Sequence, residues 1–199
     1  MKIQGQTAPL PSANVDTDVI MPKRFLITIS REGLGVGTFA DLRFDETGRK
    51  RSNFILNKPE WKNASILIVG DNFGCGSSRE HAVWGMVQMG VKAVIGTGFA
   101  GIFYDNARKN GLALPIVTPQ ERDQLITLSE NPKGYDVEID VRLLKIRGKG
   151  LELNFSMDPA TQQGLIEGRD DTLDTLKLVH EIQNFEGARD KSQLVRVEK

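Results

Sequence analysis

Between residues 64 and 118, short apolar runs alternate with glycine turns and amphipathic stretches, and this alternation narrows the fold more than anything else in the chain. Ile66 to Val69 reads as a buried strand. Ser78 to Met89 reads as a helix, with Val83, Met86, Val87 and Gly90 spaced along one face, and Lys92 to Ile95 as a second strand. Gly96-Thr97-Gly98 makes a turn, Ala100 to Lys109 a helix, and Leu112 to Val117 a third strand. Strand–helix–strand–helix–strand with short loops requires right-handed crossovers and a parallel sheet. The expectation is therefore an α/β fold built on a short parallel βαβαβ core. Both glycine turns then open at the carboxyl ends of strands, where open α/β sheets bind ligands.

Pro119 starts a further helix reaching about Ser129. The pattern then changes to strands and C-terminal helices. Val137, Ile139 and Val141 alternate with charged residues, and Leu144, Ile146, Leu151, Leu153 and Phe155 flank the hairpin turn Arg147-Gly148-Lys149-Gly150. Asp158-Pro159 is a cap followed by proline at the first helical position. Asp171 is placed to cap a last helix carrying Leu173, Leu176, Val179, Ile182 and Phe185 on one side. Residues 1–185 read as one domain, with 186–199 a charged, flexible tail. The first 60 residues are less regular. The stretch 28–53, bearing Gly33, Gly35 and Gly37, reads as a functional lid or simply as a mobile loop.

Chemistry concentrates in Asn72-Phe73-Gly74-Cys75-Gly76-Ser77-Ser78-Arg79-Glu80-His81-Ala82, the turn between the first strand and its helix. Free backbone N–H groups and the positive end of the helix dipole gather there, so the segment is a ready anion site. Gly74-x-Gly76-x-x-Arg79 puts a bulky residue where a dinucleotide fingerprint needs its third glycine, and no Gly-Lys-Ser/Thr follows. A smaller anion suits it better, because the Arg79 guanidinium matches a carboxylate with two parallel hydrogen bonds. Ser77 has two competing readings. Ser77-x-x-Glu80 is a capping box, with Ser77 or Ser78 as the helix cap. A serine freed from that duty, beside Arg79 and the helix terminus, has the positive surroundings that stabilise an alkoxide. His81 reads more simply as a hydrogen-bonded structural histidine. A second cluster, Asn14-Val15-Asp16-Thr17-Asp18 with Lys23-Arg24 after it, reads either as a carboxylate beside a cation pair or as an Asx turn before a solvated basic pair.

Across all 199 residues Lys+Arg and Asp+Glu both total 26, so the net charge is zero. That balance argues against a broad nucleic-acid or anionic-membrane surface. Met1 to Gln6 has no apolar signal core and no run approaches membrane-spanning length, so a reducing cytoplasmic setting is expected. Cys75 is the single cysteine and the histidines are His81 and His180 alone. This chain cannot ligate an iron–sulfur cluster by itself, so any such cluster needs another chain for its ligands.

Together, Gly74-Cys75-Gly76-Ser77-Ser78-Arg79-Glu80-His81-Ala82, the preceding Asn14-Val15-Asp16-Thr17-Asp18 and the following Phe99-Ala100-x-Ile102-Phe103 resemble the small-subunit family of 3-isopropylmalate dehydratase, within the aconitase superfamily. The resemblance runs from about residue 1 to 185. It implies a swivelling β/β/α domain like the last domain of aconitase. It implies no metal held by this chain and a large-subunit partner carrying a [4Fe–4S] cluster whose open iron acts as Lewis acid. The small dicarboxylate 2-isopropylmalate would be interconverted with 3-isopropylmalate, in leucine biosynthesis, by loss and re-addition of water. Carried over position by position, Ser77 is the base, supported by Asp18, while Arg79 binds a substrate carboxylate with Ser78 hydrogen-bonding beside it. Lys23 or Arg24 is a candidate for a second carboxylate contact, at a spacing that differs from aconitase. Cys75 stands where aconitases have an acidic residue.

The apolar pocket for the isopropyl group is expected among residues 26–39. Related dehydratases acting on citramalate, dimethylmalate or homoaconitate-like substrates are the nearest alternatives. A non-catalytic anion- or RNA-binding relative is a further one, against which the intact Ser77-Ser78-Arg79 and the neutral charge balance argue.

Overall fold

A computed structural model describes residues 1–27, 32–168, 175 and 178–188. Six strands form one sheet: β1 (Lys2–Leu10), β2 (Ile66–Val69), β3 (Ala93–Ile95), β4 (Asp136–Asp140), β5 (Lys145–Gly148) and β6 (Leu151–Asn154), in the order β3-β2-β1-β4-β5-β6. β1, β2 and β3 run parallel, while β4, β5 and β6 form an antiparallel meander on the other side of β1. Two of the three expected core strands, β2 and β3, pair in parallel, and the third parallel strand is β1, from the N-terminal segment that shows little periodicity.

That strand is hard to read because its two halves serve different partners. Lys2 to Gln6 pair with β4, and Thr7 to Leu10 pair with β2. Thr7 N–H makes the last bond on the β4 side, to Tyr135 O at 2.9 Å. Pro9 falls beyond that bond, where its missing N–H leaves no ladder bond unmade.

The sheet curls until its edges meet. Residues 112–117 were expected as a regular strand, but Pro115 lacks a donor, and the segment makes only separate parallel bridges, Ala93 with Ala113 and Gly96 with Ile116. Ile116 also bridges Ser156, just past β6, with N–H to O distances of 2.8 and 3.0 Å. The segment thereby flanks β3 and ties it to the chain just past β6, which shortens the exposed sheet edge. Inside the curl lie Ile3, Ile66, Ile68, Ile95, Val137, Ile139 and Ile146. The alternate residues Leu67, Val69 and Val94 face outward, against Val83 and Met86 of α3 (Glu80–Gln88) and Phe103 and Ala107 of α4 (Gly101–Lys109). A strand covered on both faces explains the unbroken apolar run at 66–69.

The other helices in chain order are α1 (Thr17–Ile20) and α2 (Ala40–Arg43) before α3, then α5 (Pro119–Ser129), α6 (Pro159–Glu167) and α7 (Val179–Ala188). Asp158 caps α6 as expected, accepting from Thr161 N–H at 2.8 Å. In the Gly-rich N-terminal stretch Leu34, Phe39 and Ala40 are buried against the outer core, and the Arg43 guanidinium holds the carbonyls of Gly35 and Thr38 at 2.9 and 3.1 Å. The expected cap Asp171, together with Leu173, Leu176 and tail residues 189–199, lies outside the described residues. Among the described residues no helix is long and apolar enough to cross a membrane.

Candidate active site

The turn from β2 into α3 is built by three loops rather than by local preference alone. Residues 70–76 are zipped to residues 14–17: Asn14 N–H reaches Asp71 O at 2.8 Å, Gly74 N–H reaches Val15 O at 2.8 Å, and Thr17 N–H reaches Cys75 O at 2.8 Å. Asn14 and Asn72 both adopt left-handed backbone, at φ 56° and 57°, and the Asn72 amide donates to the Asn14 side-chain oxygen at 2.9 Å. Asparagine tolerates this region better than other non-glycine residues. From the other side, Phe73 bridges Phe99. Gly74 (φ 78°) lets the backbone lie on the Phe103 ring, which a Cβ there would meet at 2.3 Å.

This scaffold changes the reading of the helix start. α3 begins at Glu80, with Arg79 in the N-cap position and no side-chain cap. The capping box expected at Ser77 and Glu80 is therefore absent, and neither Ser77 nor Ser78 caps the helix. The Glu80 carboxylate instead accepts from the Asn110 amide at 2.7 Å, and Asn110 in turn accepts from Trp84 Nε1 at 2.9 Å. A long-range contact has taken the residue that would have closed the box. The motif appears at the other end of the core, where Thr118 and Glu121 form a complete box at the start of α5.

Ser77 and Ser78 are exposed. The Ser77 carbonyl is held by the Thr17 hydroxyl at 2.9 Å, so its backbone is fixed while its own hydroxyl has no hydrogen-bond partner among the described residues. Arg79 is the opposite case. Its side chain is only 10% exposed, and Nη1 donates to the Asp18 carboxylate and, at 3.4 Å, to Met21 O. Among the described residues no acceptor engages Nε or Nη2, so one edge of the guanidinium stays open to a carboxylate.

The N-terminal motif thus divides its labour. Asp16 caps α1, accepting from Val19 N–H at 2.7 Å, and Asp18 orients Arg79. The basic pair divides as well. Arg24 binds Asp41 at 2.6 Å and lies over the Phe25 ring, and that contact raises its pKa, whereas the exposed Lys23 has no ion-pair partner among the described residues. Within residues 26–39 Leu34 and Phe39 are committed to the core, while Ile27 and Val36 are 88% and 65% exposed. His81 packs its ring against Trp84 at 4.7 Å.

One part of the scaffold escaped the sequence reading. Asp71 accepts from the Thr97 hydroxyl at 2.6 Å and from Arg122 at 2.9 Å, tying the two glycine turns to α5. The Thr97 hydroxyl first, then the Arg122 charge, lower the Asp71 pKa. Asp71 directly after the strand was the visible signal, but its partners lie far along the chain.

Residues 1–121 match the aconitase C-terminal domain family. The 3-isopropylmalate dehydratase small subunit 1 of Mannheimia succiniciproducens is 46% identical over 92% of this chain and 91% of its own length. The small subunit of Sinorhizobium medicae is 47% identical over 94% of each chain. The chain belongs to the 3-isopropylmalate dehydratase small-subunit family. The crystal structure of the 3-isopropylmalate dehydratase (leuD) of Methanocaldococcus jannaschii superposes with a TM-score of 0.67 at 28% identity, over 92% of this chain and 99% of that one. The expected aconitase-like α/β fold is thereby met.

Among the described residues no group of three or more His, Cys, Asp or Glu side chains is placed to hold a metal ion, and Cys75 is the chain's single cysteine, in the turn itself. The residues present do not fit an iron–sulfur cluster. What they offer is the two exposed hydroxyls of Ser77 and Ser78, one oriented guanidinium and a helix terminus without a side-chain cap.

Proposed function

We propose that this chain is the small subunit of a heteromeric hydro-lyase that interconverts 2-isopropylmalate and 3-isopropylmalate in leucine biosynthesis. The observation that carries this reading is the pairing of an exposed Ser77 hydroxyl, free of internal hydrogen bonds, with the neighbouring Arg79 held by Asp18. The [4Fe–4S] cluster that the family resemblance implies belongs to the large-subunit partner, because this chain lacks the ligands for it.

The substrate's carboxylate would dock on the open edge of Arg79, with the Ser78 hydroxyl beside it and the Lys23 ammonium as a second anchor. Ser77, as alkoxide, would take the proton from the carbon next to the one whose hydroxide departs to the Lewis acid that the partner would supply, leaving a double bond; in rehydration the Ser77 hydroxyl would give its proton back to carbon as hydroxide re-adds. Arg79 and the positive end of the α3 dipole supply the positive field that such an alkoxide needs. Asp18 keeps Arg79 aimed and so acts as a positioning residue. The fixed Ser77 carbonyl and the zipped loops limit the search of the hydroxyl for its proton.

Mixing the chain with a reconstituted large subunit and following 2-isopropylmalate dehydration tests the assignment. Neither subunit alone should turn over, and the pair should, with 2-isopropylmalate preferred over citramalate and homoaconitate-like substrates. Full activity from a Ser77→Ala chain would remove Ser77 from the reaction.

A further inference from the structure

Outside the site, one surface feature combines volume, apolar floor and rigid walls. A cleft of about 780 Å³ opens beside α2. Phe25, Val36, Ala40 and Phe44 form its apolar lining, and Glu46 and Arg51 stand among its charged residues. Its walls are pre-organised. Asp45 Oδ1 accepts from Thr47 N–H at 2.9 Å, from the Thr47 hydroxyl at 2.7 Å and from Arg49 N–H at 2.9 Å, which fixes the turn on one side. The Asn57 amide holds the Arg43 and Arg51 carbonyls at 2.6 and 2.8 Å, and Arg51 Nε donates to Phe44 O at 2.8 Å. Across the cleft, Arg24 is clamped by Asp41.

Most charges around this cleft are therefore spent internally. Glu46, exposed at the rim, has no ion-pair partner among the described residues. Val36, in its lining, is 65% exposed. The cleft is linked to the Ser77 and Arg79 site through the backbone. Met21 O, which Arg79 touches, lies directly before the turn carrying Arg24 and Phe25, and Ile20 O accepts from Phe39 N–H at 2.8 Å. α1 and α2 thus form one unit, with the Arg79 anchor at one end and the cleft at the other.

We infer that this cleft is a docking socket for the cluster-bearing large subunit, receiving one apolar anchor side chain with a basic residue beside it that meets Glu46. The inference rests on the heteromeric reading proposed above. A partner that completes the site at Ser77 and Arg79 must cover the adjoining surface, and a rigid apolar socket with an unspent carboxylate at its rim suits an interface anchor. Because the walls are already fixed, little order has to be imposed on binding.

The test is the dissociation constant of the full-length chain for the reconstituted large subunit, with turnover measured at saturating partner. Phe44→Ala removes one apolar wall of the socket outside the stretch expected to meet substrate, and Glu46→Lys reverses the rim charge. Each should weaken assembly at least tenfold, while kcat at saturation stays at the wild-type value. Leu143→Asp, at an exposed apolar residue in the β4–β5 turn, should assemble normally. Wild-type assembly by both socket variants, or equal weakening by Leu143→Asp, would overturn the socket and leave the hydro-lyase reading standing. Normal assembly with a raised KM in Phe44→Ala would instead make the cleft a substrate pocket and overturn the docking role. A wild-type chain that neither binds nor activates the large subunit would remove the functional reading and the socket with it.

Discussion

The Asp18 carboxylate accepts a hydrogen bond from Nη1 of Arg79, joining α1 to the N-cap of α3 across 61 residues of sequence. Arg79 is nearly buried while Asp18 is half exposed, so the pair works as an anchor sunk on one side and wet on the other. Its effect is to give the guanidinium one orientation before any ligand arrives.

Loosening that anchor should separate binding from chemistry. Asp18→Asn keeps the shape and removes the charge, and Arg79→Lys keeps the charge and removes the fork. A hydrogen bond to a charged group is worth about 1.5 to 3 kcal/mol, so Arg79→Lys should lower kcat/KM by about 10- to 100-fold. Asp18→Asn should act mainly on KM. Steady-state kinetics of the assembled enzyme read both, and an unchanged kcat/KM in Arg79→Lys would count against the clamp.

Ser77 can be separated from a helix cap by stability alone. Replacing a true capping threonine, as in Thr118→Ala, should cost about 1 kcal/mol. Ser77→Ala removes an exposed hydroxyl with no internal partner and should stay within about 0.5 kcal/mol of wild type. Its turnover should nevertheless fall by about 100- to 10,000-fold, the usual range for a general base. Urea unfolding of both variants, run beside the activity assay, distinguishes the roles.

The glycines of the turn are not equivalent. A Cβ at Gly74 would meet the Phe103 ring at 2.3 Å, whereas at Gly76 (φ 94°) the nearest atom, Asp16 Cβ, lies at 3.4 Å. Gly76→Ala should cost about 1 to 2 kcal/mol, from left-handed backbone. Gly74→Ala carries that strain and about 1 to 3 kcal/mol of overpacking as well. Thermal denaturation should rank Gly74→Ala as clearly less stable; the reverse order would mean that the ring moves aside freely.

The β5–β6 hairpin carries a defined acid-sensitive group. Lys145 first, then Arg147, donate to Glu152 and hold its carboxyl from an ordinary 4.5 down to about 2. A carboxyl lowered in the folded protein binds fewer protons there than in the unfolded chain. Its contribution to stability is therefore complete above about pH 4.5 and is lost as the pH falls toward 2. Unfolding free energies of wild type and Glu152→Gln should differ above that window and converge below it. Added salt should shrink the difference, since the group is exposed. Curves that stay parallel through the window would show that the pair does not shift the carboxyl.

The sequence by itself determined the elements whose signals are local. The apolar run at 66–69, the helices at 101–109 and 119–129, the Asp158-Pro159 start and the hairpin through Lys149 and Gly150 all follow from periodicity, caps and turn chemistry within a few residues. The Ser77-Ser78-Arg79 cluster was visible for the same reason. Tertiary structure decided what depends on distant partners. β1 stayed hidden because its halves pair with residues 59 or more positions later in the chain, as the register Lys2 with Asp140 and Leu10 with Val69 shows. Ser77 and Glu80 have the spacing of a capping box, yet Asn110 claims Glu80 and Thr17 fixes the Ser77 backbone. Which of Asp16 and Asp18 would cap a helix and which would hold Arg79 was likewise settled only when α1 met α3. Spacing along a chain reports which contacts a residue can make with its neighbours; packing decides whether a remote group, already held in place, takes that contact first.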